Sequence, residues 1–355
     1  MDSQSAKHVL SIAAAAALLA GCSSGATSQL APRANSAVGA TGVMHNGHVL
    51  TTSILDPKVA IRKSDLSKSH PLHGKIDART KTFWISDAGD NVVQVYSYPS
   101  GTYLGSAPQP PEGFAEPQGM CSEKNGNVFV ANTENSTIDE YAGNGTFMQA
   151  LSDPGEYPAG CAVDPSSGTL AVSNIISTSD NAGGISLYKN ASGKPQQLTD
   201  PNMFEVFFIA YYGSTGKLYY SGFNNSFFPE ISSYVKGNFK PFILEGYTLG
   251  FAGAVAWAYK TKSLLIGDQD APNGPAFLQV RANGKVIGIT RLSCSSGYCD
   301  VVQPTVNGKY LIAPDAESVV ASVFPYPAGG DALVTVTGFG QPIGSAVSSV
   351  LRVEN

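Results

Sequence analysis

The sequence predicts an all-β protein, a β-propeller of four-stranded blades, on three observations. A strand unit recurs at a spacing of about 45 residues, within the range of propeller blades. The units are joined by turns rich in Gly, Pro, Asn and Asp, and their strands alternate apolar with polar residues where a helix would follow a 3.6-residue period. The 355 residues include 38 Gly and 22 Pro, and only 14% are charged, against roughly 25% in an average globular chain. The net charge of −5, with no Lys/Arg cluster, argues against a nucleic-acid partner.

Residues 1–22 read as a targeting segment. Lys7 and His8 precede an apolar run from Val9 to Ala20, the length of a signal-peptide core and too short to span a bilayer. The run closes on Leu19-Ala20-Gly21-Cys22. That resembles the bacterial lipobox and implies a signal peptide whose mature product begins at a lipidated Cys22, carrying palmitate-type acyl chains. Residues 23–44 are small and polar and read as a flexible tether. The propeller domain is expected over 45–355, on the outer side of a bacterial membrane and anchored to it.

An exported chain changes the meaning of its cysteines. Cys121, Cys161, Cys294 and Cys299 remain after Cys22 is set aside, and four cysteines allow three pairings. Cys294 and Cys299 flank Ser-Ser-Gly-Tyr, a loop able to close on itself. Cys121 and Cys161 lie in corresponding strands of neighbouring repeats, one place out of register. The favoured disulfides are 294–299 and 121–161.

The second strand of each unit is the ruler. These strands are Phe83-Trp-Ile-Ser-Asp87, Val128-Phe-Val-Ala-Asn132, Leu170-Ala-Val-Ser-Asn174, Leu218-Tyr-Tyr-Ser-Gly222, Leu264-Leu-Ile-Gly-Asp268 and Tyr310-Leu-Ile-Ala-Pro-Asp315. Each is preceded by a first strand entered through small residues, as in Pro117-Gln-Gly-Met-Cys121, Pro158-Ala-Gly-Cys-Ala162 and Gly253-Ala-Val-Ala-Trp257. Innermost strands converge on the propeller axis, where bulky side chains would collide. The turn Asp164-Pro-Ser-Ser-Gly168 joins two such strands, with Pro presetting φ and Gly supplying a positive φ. Third strands follow, such as Val92-Val-Gln-Val-Tyr96 and Ile185-Ser-Leu-Tyr188, and fourth strands follow a Gly turn at Gly101 and Gly145.

The ends set the blade number. Pro342-Ile-Gly-Ser-Ala-Val347 copies the first-strand entry, while Gly47–Leu55 and Val59–Ile61 are unpaired strand candidates upstream. Joining them gives seven blades closed by both termini, with six blades the alternative. Closure removes the free sheet edges.

The pattern P-x-G-(M/C)-x, a turn, (V/L)-(F/A)-V-(A/S)-N and an I/V-x-x-Y strand resembles NHL-type and SMP-30-like propellers over residues 70–348, and among them exported bacterial lipoproteins of that kind. Such propellers include enzymes, receptors and scaffolds, so the resemblance specifies fold more than chemistry.

Three groups of residues are candidates for function. The five histidines, His8, His45, His48, His70 and His73, all precede residue 74. Nucleophilic triads and His dyads therefore have no imidazole in most of the propeller, and His73 alone is placed to touch a ligand near the axis. Glu116, Glu156, Glu205 and Asp300 each stand at or just before a first strand in four different blades. That placement predicts a ligand-binding mouth, with Glu116, Glu205 and Asp300 able to hold Ca²⁺ through oxygen. SMP-30-like lactonases resemble this in using carboxylate and Asn ligands at the axis. The aromatic stretch from Met203 to Phe228 is core in its alternating members, whereas Phe227-Phe228, beside Pro229, suits a glycan or protein partner.

With no nucleophile elbow, phosphate loop or His-based site in the propeller, the leading expectation is a ligand-binding or protein-interaction scaffold. It would take carbohydrate, cell-wall material or a protein and need no cofactor. The rival is a metal-dependent SMP-30-like lactonase using Ca²⁺.

Overall fold

The computed structural model describes residues 80–272, 274–294 and 299–348, with Leu72, Ile76 and the backbone of 43–45 and 48–50. The chain divides into two compact units, Met1–Lys58 and Val59–Asn355. In the first, strands β1 (Val43–His45) and β2 (His48–Leu50) pair antiparallel.

In the second unit the described residues form six four-stranded antiparallel sheets, the blades of a propeller. Blade 1 takes β3 (Thr82–Asp87), β4 (Val92–Ser97) and β5 (Tyr103–Ser106) from one end of the unit and its innermost strand, β26 (Pro342–Ser348), from the other. Blade 2 is β6 (Pro117–Ser122), β7 (Val128–Asn132), β8 (Thr137–Tyr141) and β9 (Phe147–Ser152). Blade 3 is β10 (Glu156–Val163), β11 (Leu170–Ser177), β12 (Gly184–Tyr188) and β13 (Gln196–Leu198). Blade 4 is β14 (Met203–Tyr211), β15 (Leu218–Asn224), β16 (Pro229–Val235) and β17 (Asn238–Pro241). Blade 5 is β18 (Ala252–Ala258), β19 (Ser263–Asp268), β20 (Ala276–Val280) and β21 (Val286–Arg291). Blade 6 is β22 (Thr305–Asn307), β23 (Tyr310–Asp315), β24 (Val320–Pro325) and β25 (Val334–Thr337).

The expected seven blades are thus six. The copy of the first-strand motif at Pro342 begins no new blade. It supplies the inner strand that the first repeat lacks, with Pro342 opposite Asp87 and Ser348 opposite Thr82. Six second strands with six inner strands leave none over. Of the upstream candidates, His48–Leu50 pairs with Val43–His45, and Val59–Ile61 lies outside the described residues. Leu72 is the described residue nearest His73. Leu72 donates its N–H to the carbonyl of Ser106 on outer strand β5 at 3.2 Å.

Second strands are buried on both faces because each blade is packed between two others. β3, β7 and β19 are buried at every residue, which accounts for their unbroken apolar runs. Between blades 1 and 2 lie Trp84, Val93 and Val95 against Met120, Val130 and Tyr141. Between blades 6 and 1, Ile312 and Val323 meet Phe83, Ile85 and Tyr96. Between blades 4 and 5, Phe223 sits edge-on to Phe251, with ring centres 5.2 Å apart.

Hydroxyl groups on the second strands fasten consecutive blades together. Ser86 donates to the carbonyl of Gln118 on the next inner strand. Ser173 does the same to Phe207 at 2.7 Å and Ser221 to Gly253 at 2.6 Å. At the centre, a Cβ on Gly119 would overlap both the Gln303 side chain and the carbonyl of Ala159. Gln303 Oε1 accepts the Met120 N–H at 2.8 Å. The axis is therefore closed by a buried glutamine lying against glycines of neighbouring blades, which is the crowding the small-residue entries anticipate.

Both favoured disulfides are present. Cys121–Cys161 joins the inner strands of blades 2 and 3, with Cα atoms 5.5 Å apart. Cys294–Cys299 closes the loop between blades 5 and 6, with Cα atoms 5.6 Å apart.

Candidate functional site

The inner strands begin on one face of the propeller and end on the other, and the two faces differ in chemistry. On the exit face, the ends of the inner strands surround a funnel of about 150 Å³ at the axis. Its wall includes Ser122, Cys161, Ile209, Trp257, Tyr259 and Thr305, with Gln303 among the lining residues, and among the described residues no charged side chain lines it. Trp257 is the dominant wall residue. It occupies the end of β18, where Ser122 and Val163 stand in blades 2 and 3. Tyr212 packs on it with ring centres 4.5 Å apart, and Tyr259 meets it edge-on at 6.1 Å. Tyr259 is 65% exposed. The Trp257 Nε1 is buried without a hydrogen-bond partner, an arrangement that costs about 1–3 kcal/mol unless a partner is supplied. The Thr305 hydroxyl, on the neighbouring blade, donates to the Ser345 carbonyl at 2.5 Å and keeps its lone pairs as acceptors. Aromatic faces and hydroxyl groups in an uncharged cup can bind a neutral, hydroxylated ring.

This funnel is not legible in the sequence, where Trp257 is one more apolar inner-strand residue. The available signal was a Trp, one of two in the chain, at a place where the other repeats keep smaller side chains.

The entry face carries the carboxylates singled out in the sequence. Glu116 sits in the left-handed region, φ 55°, with its N–H donated to Asn91 Oδ1 at 2.7 Å. Asp300 donates its N–H to Asp315 Oδ1 at 2.9 Å, and its own Oδ1 accepts from Gln269 at 3.3 Å. Glu205 is half-buried on β14, and burial raises its carboxyl to about 7. Glu156 is also raised to about 7, by burial first and then by the neighbouring Asp153 and Asp180. The four residues occupy the entry side of blades 6, 4, 3 and 2. Among the described residues, one group of three His, Cys, Asp or Glu side chains brings its ligand atoms within 4.8 Å, and it is Cys294, Cys299 and Asp315. The two sulfurs of that group are joined in a disulfide, so it offers no thiolate ligands. Glu116, Glu205 and Asp300 form no such group. His73 and Cys22 lie outside the described residues.

The Asp or Asn closing the second strand in blades 1, 2, 5 and 6, a turn residue by sequence, has a further task. Asp87 accepts the N–H groups of Gly340 and Gln341, the latter at 2.7 Å. Burial nonetheless pushes its carboxyl up to about 6. Asn132 accepts from Ala115 at 2.7 Å, Asp268 from Gly250 and Phe251, and Asp315 from Asp300. Each holds the loop that leads into the inner strand of its own blade.

The aromatic stretch is buried at consecutive positions and not only at the alternate ones expected, because its strands are packed on both faces. Phe207, Phe208, Tyr219 and Tyr220 are buried, while Phe227 and Phe228 are 59% and 65% exposed on the entry face.

No protein-family model and no curated protein sequence matches this chain. Among solved structures, the chain is similar to one in the crystal structure of a nidogen/laminin complex. The identity is 13% and the TM-score 0.61, over 76% of this chain and 99% of that one. At that identity the likeness establishes the class, a β-propeller, and nothing finer.

Proposed function

We propose that this protein is an exported binding propeller that recognises a neutral carbohydrate at the exit-face funnel, tethered to the outer side of a bacterial membrane through Cys22. The observation that carries the binding reading is the uncharged, aromatic-walled cup around Trp257 and Tyr259 at the axis. Sugar rings stack their C–H faces on aromatic side chains and offer hydroxyls to N–H and hydroxyl partners, and a cup without charge selects against ionic ligands. Support for export comes from the apolar run ending in Leu19-Ala20-Gly21-Cys22 and from two disulfides in a chain of five cysteines.

Titration of the purified protein with neutral oligosaccharides and cell-wall fragments tests the binding reading by calorimetry. A saturable heat is expected, lost in Tyr259→Ala and unaffected by Phe227→Ser. No binding from the whole panel, or binding indifferent to Tyr259→Ala, would refute it. The anchor is tested by incorporation of labelled palmitate, which should disappear in Cys22→Ala. An unlabelled wild-type protein would overturn it.

A protein partner is the second reading, favoured by the exposed Phe227-Phe228 pair. The loop is held by Asn224, whose Oδ1 accepts from Ser226 at 2.9 Å and Phe228 at 3.1 Å. The solved neighbour is titled as a complex of nidogen with laminin. Here Phe227→Ser, and not Tyr259→Ala, should abolish co-purification of the partner.

A further inference from the structure

Blade 3 breaks the rule that blades 1, 2, 5 and 6 set on the entry face. In blades 1, 2, 5 and 6 the side-chain oxygen closing the second strand is satisfied by N–H groups of the loop ahead of the inner strand. In blade 3 the corresponding residue is Asn174, fully buried, and its Oδ1 has no hydrogen-bond partner. By the geometry of the other blades, that oxygen faces the two residues ahead of Pro158, its strand partner. Those residues are Glu156 and Tyr157. The N–H of Glu156 is already given to the Asp153 carbonyl at 3.1 Å.

Two more acceptors at the same corner are unpartnered. Asp153 is wholly buried and its Oδ2 has no partner, while Glu156 has a buried, unpartnered Oε2. Ser186 ties Asp153 to Asn174, and Glu156 is joined to Asp153 through its backbone N–H. Ser186 Oγ donates to Asp153 Oδ1 at 2.9 Å and accepts from Asn174 Nδ2 at 2.8 Å. Gln197 adds a second donor to Asp153 Oδ1 at 2.7 Å. Each of these contacts fixes one end of its side chain and leaves the other oxygen bare. The charged groups acting on Glu156 are Asp153 and Asp180, both acids. Three buried, bare oxygens from two carboxylates and an amide, with no cation among the charged groups acting on Glu156 in the described residues, make a donor set suited to a hard metal ion.

We propose that Asp153, Glu156 and Asn174 form a Ca²⁺ site at the entry-face corner of blade 3. The donors are all oxygen, as Ca²⁺ requires, and two carboxylates match its charge. Asp180 is exposed and Glu156 only half-buried, so the ion has a way in and room for water ligands. The site is separate from the exit-face funnel and does not depend on what binds there. It also differs from the central mouth that Glu116, Glu205 and Asp300 suggest in the sequence.

The test uses the full-length protein, stripped with chelator and titrated with Ca²⁺ by calorimetry and thermal unfolding. Tb³⁺ serves as a luminescent probe, excited through Tyr188, which lies beside Asp153. One ion per chain is expected, with a rise in the unfolding midpoint on adding Ca²⁺ and sensitised Tb³⁺ emission. Glu156→Gln, at a half-exposed position that tolerates substitution, should weaken Ca²⁺ affinity by about tenfold or more, the loss of one charged ligand. Glu205→Gln should leave it unchanged. The Ca²⁺-dependent increment is the readout, so a change in baseline stability does not obscure it. A wild-type protein with no Ca²⁺-dependent shift overturns the proposal. So does a Glu156→Gln protein that binds as wild type, or a loss confined to Glu205→Gln, which would move the ion to the central mouth.

Discussion

The two faces of this propeller are built from the same repeats and yet have opposite chemistry. On the exit face, inner strands end in short turns such as Asp164–Gly168, and the side chains converging there are uncharged. On the entry face, longer loops arrive from the preceding blade and are held by Asp and Asn side chains at the ends of the second strands. Carboxylates gather there because the loops need acceptors for their N–H groups. Where the loops use them, as at Asp87 and Asp268, the acids are structural. Where they do not, as at Asp153 and Glu156, acceptors are left over. A row of similar acids around a ring is thus two populations, separated by whether a backbone N–H reaches them.

Two substitutions sharpen that contrast. The larger effect belongs at the closed centre. Gly119→Ala should cost about 3 kcal/mol in urea unfolding, since its methyl group meets both Gln303 and the Ala159 carbonyl and the latter cannot rotate away. Adding Gln303→Ala should not rescue it. A cost below about 0.5 kcal/mol, the range of ordinary surface changes, would mean that the axis is looser than the glycines imply.

On the entry face the sign reverses. Glu205 has its carboxyl raised by burial from 4.5 to about 7. A raised carboxyl contributes stability that is complete below the unfolded value and lost as pH rises through the folded one. Wild-type stability should therefore fall between pH 4.5 and 7 relative to Glu205→Gln. At pH 8 the variant should be the more stable by about 1–2 kcal/mol, allowing for the partial exposure of the group. Parallel pH profiles of the two proteins would remove Glu205 from the account of this face.

Much of the fold is written in the sequence because it repeats. Six copies of a second strand, small residues at the axis and Gly or Asn at the turns each follow from local geometry; the Cys121–Cys161 pair follows from its places in neighbouring repeats and the Cys294–Cys299 pair from its short loop. The blade number stays open between seven and six in the sequence because a strand motif states its type and not its partner. Pro342–Ser348 looks alike whether it opens a seventh blade or completes the first, and only pairing with Thr82–Asp87 decides.

The candidate sites were less legible for the same reason. Glu156 was visible as an acid before a strand, but the bare oxygens of Asp153 and Asn174 exist only once three segments of chain meet and the N–H groups have been allotted. Trp257 gains meaning only beside Tyr212 and Tyr259, which turns of two blades bring to it. The sequence by itself determined the strand period, the turns, the class of fold and the cysteine pairs, because these depend on near neighbours and on repetition. Tertiary structure decided the closure at six blades, the funnel on one face and the unsatisfied corner on the other. Each of those depends on which distant groups share a hydrogen bond and which are left without one.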